Sequence, residues 1–129
     1  KALDIFNNGN LERDFTYIDD IIEGLIHVIN NPVTMNNRLP DGSSPTKAPY
    51  RLYNIGNNTP VKLMDFIETI EKHLGKTAKK NYLPMQPGDV LSTYADTSDL
   101  EKDYGFRPRT SIDQGIKKFV DWYKKFYHV

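Results

Sequence analysis

The chain has 129 residues, with 38% hydrophobic and 26% charged side chains, ordinary globular usage that excludes wholesale disorder and allows one modest core. Seventeen basic side chains balance seventeen acidic ones, so neither nucleic acid nor an anionic membrane surface is expected as the main partner. Cysteine is absent, which removes disulfides, cysteine-ligated metals and a cysteine nucleophile, and no apolar run reaches the length of a membrane span. No basic-then-apolar leader opens these residues, so a cytoplasmic location is the default expectation. The sequence starts at Lys1 and is strand-like at once, which reads as a beginning inside a larger protein or as a processed terminus.

Ile5-Phe6 forms a short expected strand, and Asn7-Asn8-Gly9-Asn10 is a strong turn signal. Phe15-Thr16-Tyr17-Ile18, β-branched and aromatic, reads as a second strand and completes an expected hairpin. A helix opens at Asp19-Asp20, with Asp20 and Glu23 spaced as a capping box. Its apolar stripe is Ile18, Ile21, Ile22, Leu25, Ile26 and Ile29, and Asn31-Pro32 ends it. Residues 34–49 are polar and rich in turn formers, a long surface loop that reads as a lid or an insertion. Tyr50 to Ile55 is the next expected strand, and Thr59-Pro60 supplies a cap and first-turn proline for a second helix. Leu63, Phe66, Ile67, Ile70 and Leu74 form the stripe of that helix, with Gly75 as its stop. Lys79 to Leu83 reads as a short strand, and Pro84, Pro87 and Gly88 force a turn after it. Ser98 and Glu101 are spaced as a capping box for a short helix ending at Gly105. Thr110 or Ser111 caps the last helix, whose stripe is Ile112, Ile116, Phe119, Val120, Tyr123 and Phe126. Helices alternating with strands define an α/β or α+β unit spanning residues 1–129.

The histidines at 27, 73 and 128 are far apart and show no ligand spacing, so no metal site is expected. Asp19-Asp20 reads as a helix-terminus feature that satisfies free N–H groups rather than as a catalytic carboxylate pair. No Gly-rich phosphate loop occurs, and Pro60 removes a donor from the one strand-to-helix turn that could hold an anion. Lysine clusters at 76–80, 117–118 and 124–125 read as solvated faces. Two segments carry more chemistry. Arg13, ahead of a helix N-terminus, can clamp a phosphate with its fork of donors; the plainer alternative is a surface pair with Asp14 or Glu12. Pro84-Met85-Gln86-Pro87-Gly88-Asp89 forms a rigid turn that can present Gln86 and Asp89, with Asp89 able to accept from a vicinal diol; the plainer alternative is a simple loop. The residues by themselves leave both choices open.

In order along the chain, Asp4-Ile5-Phe6-Asn7-Asn8-Gly9, Arg13-Asp14-Phe15-Thr16-Tyr17-Ile18-Asp19-Asp20-Ile21, Tyr53-Asn54-Ile55-Gly56-Asn57, Gln86-Pro87-Gly88-Asp89-Val90 and Thr93-Tyr94-Ala95-Asp96 form a pattern. Gly105-Phe106-Arg107-Pro108, Gly115-Ile116 and Phe119-Val120-Asp121-Trp122-Tyr123 complete it. The ordered set resembles the C-terminal part of NAD-dependent nucleotide-sugar epimerases of the extended short-chain dehydrogenase/reductase family, and is most similar to UDP-glucuronate 4-epimerases.

That resemblance implies a C-terminal substrate-binding part of a Rossmann-type enzyme, whose N-terminal domain, absent from this chain, binds NAD and carries a Tyr-x-x-x-Lys pair. No tyrosine here has lysine four residues later, so the resemblance implies no catalytic residue in this chain and no activity from it alone. In the family, hydride leaves C4 of the sugar as the tyrosine takes the hydroxyl proton, and the keto sugar turns over and is reduced on its other face. By the same resemblance Arg13 contacts the UDP diphosphate, Asp89 the uridine ribose, and Asp4 and Phe6 lie along the uracil. Gln86 stands where several relatives have a second diphosphate-binding arginine, and Thr93 where some have a tyrosine. Tyr53 to Ile55 matches a strand that extends the Rossmann sheet. The implied partners are a UDP-sugar and the chain's own Rossmann domain, in a full-length homodimer. A UDP-glucuronate decarboxylase, a sugar-nucleotide 4,6-dehydratase and a non-catalytic interaction module are the alternatives.

Overall fold

The computed structural model describes residues 1–33 and 50–129; the expected loop at 34–49 lies outside the described residues. Two small ladders, each joining distant parts of the chain, organise the fold. Strand β1 (Leu3–Ile5) runs parallel to β4 (Lys80–Tyr82), with Leu3 opposite Lys80, Asp4 opposite Asn81 and Ile5 opposite Tyr82. Strand β2 (Glu12–Arg13) runs antiparallel to β3 (Val61–Lys62), with Glu12 opposite Lys62 and Arg13 opposite Val61. Glu12 also bridges Ser92 on its other side.

The expected hairpin is therefore replaced. Asn7 and Asn8 take positive φ values of 49° and 51°, so the turn signal is real. A turn reverses the chain without choosing a ladder partner, and β1 finds its partner in β4. Phe15 to Ile18 is not a strand: the Phe15 ring stacks on Phe66 at 4.0 Å, and helix α1 (Ile18–Asn30) already begins at Ile18. Tyr50 to Ile55 is likewise not a strand, because no neighbouring strand offers it a ladder among the described residues. Side chains hold it against α3 (Ser98–Tyr104) instead. Arg51 pairs with Asp99 at 3.2 Å and with Asp103, and the Tyr53 hydroxyl donates to Asp103 at 2.7 Å. Burial, and then that hydrogen bond, push the Tyr53 hydroxyl pKa above its ordinary value.

Helix α2 (Leu63–Leu74) starts later than Thr59-Pro60, because Val61 and Lys62 are first taken into β3. It ends as expected at Gly75, which is left-handed with φ 69°. Helix α4 (Ile112–Tyr127) has the expected cap at Ser111, and Gln114 completes a capping box. The other two expected boxes do not form. Tyr17 is the N-cap of α1 without a side-chain bond, and Thr97 that of α3. Asp20 is instead buried and accepts from the Thr110 N–H at 3.0 Å and its hydroxyl at 2.9 Å, so α1 is pinned to the start of α4.

The core joins Ile67 of α2 to Ile116 and Val120 of α4, with Ile5, Leu11, Leu100 and Phe106 buried around them. Five of the six residues of the α1 stripe stay uncovered: Ile18, Ile22, Leu25, Ile26 and Ile29 are exposed, Ile29 to 72%. Phe119, Trp122 and Phe126 of α4 are exposed too.

Glu71 of α2 ties that helix to β4. Its carboxylate accepts from the Lys80 ammonium and from the Ala78 N–H at 2.7 Å. The Lys80 hydrogen bond, then that N–H, hold Glu71 below its ordinary 4.5. A depressed acid contributes stability that is full above its unfolded value and lost as pH falls through the folded one. Urea midpoints should therefore drop as pH goes below 4.5, and the drop should be shallower in Glu71→Gln. Parallel pH profiles for the two proteins would remove Glu71 from the acid response.

Candidate functional site

Arg13 sits at the end of β2, and Asp89 sits in the loop after β4. The loop sequence Gln86-Pro87-Gly88-Asp89 has proline and then glycine at the two central positions, the signature of a type II turn. The turn closes by the Asp89 N–H donating to the Gln86 carbonyl at 3.2 Å, with Gly88 at φ 83°, where a side chain would be strained. Past the turn the loop is stitched to β2. The Glu12 N–H donates to the Leu91 carbonyl at 2.9 Å, and the Thr93 N–H to the Glu12 carbonyl at 3.3 Å. These bonds bring residues of high sequence separation side by side: Arg13 Nη2 donates to Asp89 Oδ1 at 2.6 Å. Arg13 and Asp89 are each about one-quarter exposed, so the pair is partly desolvated yet open to solvent.

The plainer reading of Arg13, a pair with Asp14, is thus not what forms. Asp14 is committed elsewhere. Its carboxylate accepts from the N–H groups of Asn58 at 3.1 Å, Thr59 at 3.5 Å and Ala95 at 3.0 Å. Its own N–H donates to the Thr93 hydroxyl at 3.1 Å. Thr16 takes the Asn57 N–H at 3.1 Å. The Gly56 turn consequently spends its N–H donors on this chain's own side chains, one of them a carboxylate, and does not form an anion cradle. Glu12 contributes to Arg13 only through its carbonyl, which accepts from Nη1 at 2.7 Å.

The other residues singled out from the sequence are placed as follows. Asp4 is exposed on β1 and accepts from the Asn81 side chain at 2.9 Å. Phe6 is half-buried and opens the 3₁₀ turn Phe6–Gly9. Gln86 is exposed, and its backbone carbonyl closes the turn. The Leu83 N–H donates to the Ile5 carbonyl at 2.9 Å, so β1 and the start of the Asp89 loop share one frame. The structure brings Arg13 and Asp89 into contact and holds Asp4 and Phe6 in the adjoining ladder and turn. Sequence reasoning missed Asp14 as the organiser of this frame and Thr93 as its strut. Their only local signal was a carboxylate and a hydroxyl beside backbone turns.

Among the described residues no group of three histidine, aspartate or glutamate side chains could hold a metal ion. No described helix is long and apolar enough to cross a membrane. An apolar cavity of about 300 Å³ lies between Phe15, Tyr17, Phe66, Ile116 and Phe119, away from the charged pair.

The fold is a mixed helix-and-strand unit with an arginine–carboxylate pair at the mouth of a rigid turn, and it is shared with Rossmann-type nucleotide-sugar epimerases. No protein-family model matches the chain. The chain is 50% identical to Protein CapI of Staphylococcus aureus over 98% of its own length and 39% of that protein. It is 42% identical to the probable UDP-glucuronate 4-epimerase of Rhizobium meliloti over 98% of this chain and 38% of that one. UDP-glucuronic acid 4-epimerase from Bacillus cereus, solved in complex with UDP-glucuronic acid and NAD, superposes with a TM-score of 0.76 at 32% identity. That match covers 98% of this chain and 36% of the other. The chain is thus homologous to UDP-glucuronate 4-epimerases, as its motifs indicate, and spans two fifths or less of the length of these relatives.

The Gly56 turn provides a local test of this frame. A Cβ at Gly56 would lie 2.4 Å from the Ala95 Cβ and 3.2 Å from Asp14 Oδ2. Gly56→Ala should cost about 1–3 kcal/mol by overpacking. Thermal melts of the two proteins check this, and an unchanged melting temperature would mean that the 93–95 segment gives way.

Proposed function

We propose that this chain is the C-terminal, nucleotide-sugar-binding portion of an NAD-dependent UDP-sugar 4-epimerase that interconverts UDP-glucuronate and UDP-galacturonate. The Arg13–Asp89 pair carries the reading. A guanidinium suits a diphosphate, a carboxylate suits a ribose diol, and here the two are held in contact at the surface. Homology to UDP-glucuronate 4-epimerases over nearly the whole chain supports the choice of sugar.

Arg13 binds the diphosphate and Asp89 the ribose. Asp4 and Phe6 lie along the uracil, and Gln86 sits beside the diphosphate on the same turn. No residue here is catalytic. NAD does not fit this chain: the sequence lacks a Gly-rich fingerprint, and the N–H donors of the Gly56 turn are taken. The dinucleotide and the acid–base tyrosine therefore belong to an N-terminal Rossmann domain. This portion contributes grip on the nucleotide, which fixes the sugar for reaction. The exposed stripe of α1 is the face that the Rossmann domain covers. The whole enzyme is a cytoplasmic homodimer of the extended short-chain dehydrogenase/reductase type.

The test joins the chain to its upstream portion, supplies NAD and UDP-glucuronate, and identifies the product. UDP-galacturonate is expected. A UDP-pentose with carbon dioxide would move the reaction to decarboxylation, and loss of UDP binding altogether would leave an interaction module. In the same protein Arg13→Ala should weaken UDP binding by about 1.5–3 kcal/mol, the worth of a charged hydrogen-bonded contact. An unchanged affinity by calorimetry would take Arg13 out of the site.

A further inference from the structure

Arg13 carries five N–H donors, and the protein already uses both Nη1 and part of Nη2. Nη1 donates to the carbonyls of Glu12 at 2.7 Å and Leu91 at 3.4 Å, and Nη2 to Asp89 Oδ1 at 2.6 Å. The remaining donors are what a ligand can use. Asp89 is itself fixed, because the same Oδ1 accepts from the Val90 N–H at 2.8 Å. Its other oxygen, Oδ2, has no hydrogen bond among the described residues.

We propose that Asp89 is a positioning residue for Arg13: Oδ1 aims the guanidinium at the diphosphate while Oδ2 remains open to the ribose. This rests on the UDP-binding reading above and adds that phosphate and ribose recognition are coupled through one carboxylate. The physical reason is that an arginine side chain loses much freedom when it is immobilised on a ligand. Two carbonyl bonds from one nitrogen hold only one end of the fork. The charge-assisted bond to Asp89 holds the second end, and its 2.6 Å length is at the short limit for such contacts. The Val90 N–H and the closed turn keep the carboxylate in place, so the arginine is aimed before ligand arrives.

The experiment separates phosphate from ribose recognition by titrating the protein that includes its upstream portion with UDP and with uridine. Wild type, Asp89→Asn, Arg13→Ala and the double variant are compared, with a thermal melt for each. Asp89→Asn keeps a side chain able to bond a diol. It should weaken UDP at least tenfold more than it weakens uridine. Arg13→Ala should weaken UDP alone, and the double variant should lose no more of the UDP-over-uridine preference than Arg13→Ala does. Asp89→Glu restores the carboxylate and should recover that preference to within about threefold; this arm carries the test if Asp89→Asn melts before it binds. An equal factor for UDP and uridine in Asp89→Asn, or additive losses in the double variant, would overturn the coupling while leaving the UDP site intact. A wild type that binds neither compound would overturn the coupling together with the reading beneath it.

Discussion

One carboxylate, that of Asp14, ties the segment after β2 both to the Gly56 turn and to Ala95. It gathers the N–H groups of Asn58, Thr59 and Ala95. The Asn58 and Ala95 contacts are partly shielded from water, so both turns draw on the same side chain. The geometry that follows is strict. Gly56 lies against Ala95 so closely that not even a methyl group fits between them. Because Asp14 is bound there, the neighbouring Arg13 is left free to turn the other way, toward Asp89.

The helices were largely legible in the sequence, because their signals are local. The stripe of α2 faces inward as does the Ile112, Ile116 and Val120 part of the α4 stripe, Gly75 and Gly105 stop their helices with left-handed φ, and Ser111 caps α4. The strands were not, because a ladder is a relation between distant residues. Ile5 looked like half of a hairpin, yet its partner is Tyr82. Tyr50 to Ile55 has the composition of a strand, yet composition cannot supply the neighbour that a strand needs. Carboxylates misled for a similar reason: Asp20 has the spacing of a capping box and spends its oxygens on Thr110 instead.

The candidate site was legible only by resemblance. Local sequence left Arg13 between a surface pair and a phosphate clamp, and Asp89 between a plain loop and a diol acceptor. Their contact spans 76 positions of sequence, which no spacing rule detects. What the local sequence does contain is the rigidity of the turn: proline and then glycine in Gln86-Pro87-Gly88-Asp89 are chemistry that can be read without a structure. The exposed isoleucines of α1 make the complementary case. Their periodicity correctly marks an apolar helix face, while nothing in it says that the described residues leave that face exposed.

The long reach of both ladders bears on the order in which the molecule can form during synthesis. β1 waits for residues 80–82, and the strand that carries Arg13 waits for 91–93 before its second edge is closed. Loops of that size must be closed before the contacts that reward closure exist, which slows folding relative to a helical unit of equal length. Helix α1, most of whose isoleucines stay exposed, is made before either ladder can close. An apolar helix made ahead of the ladders leaves the growing chain open to association with its neighbours.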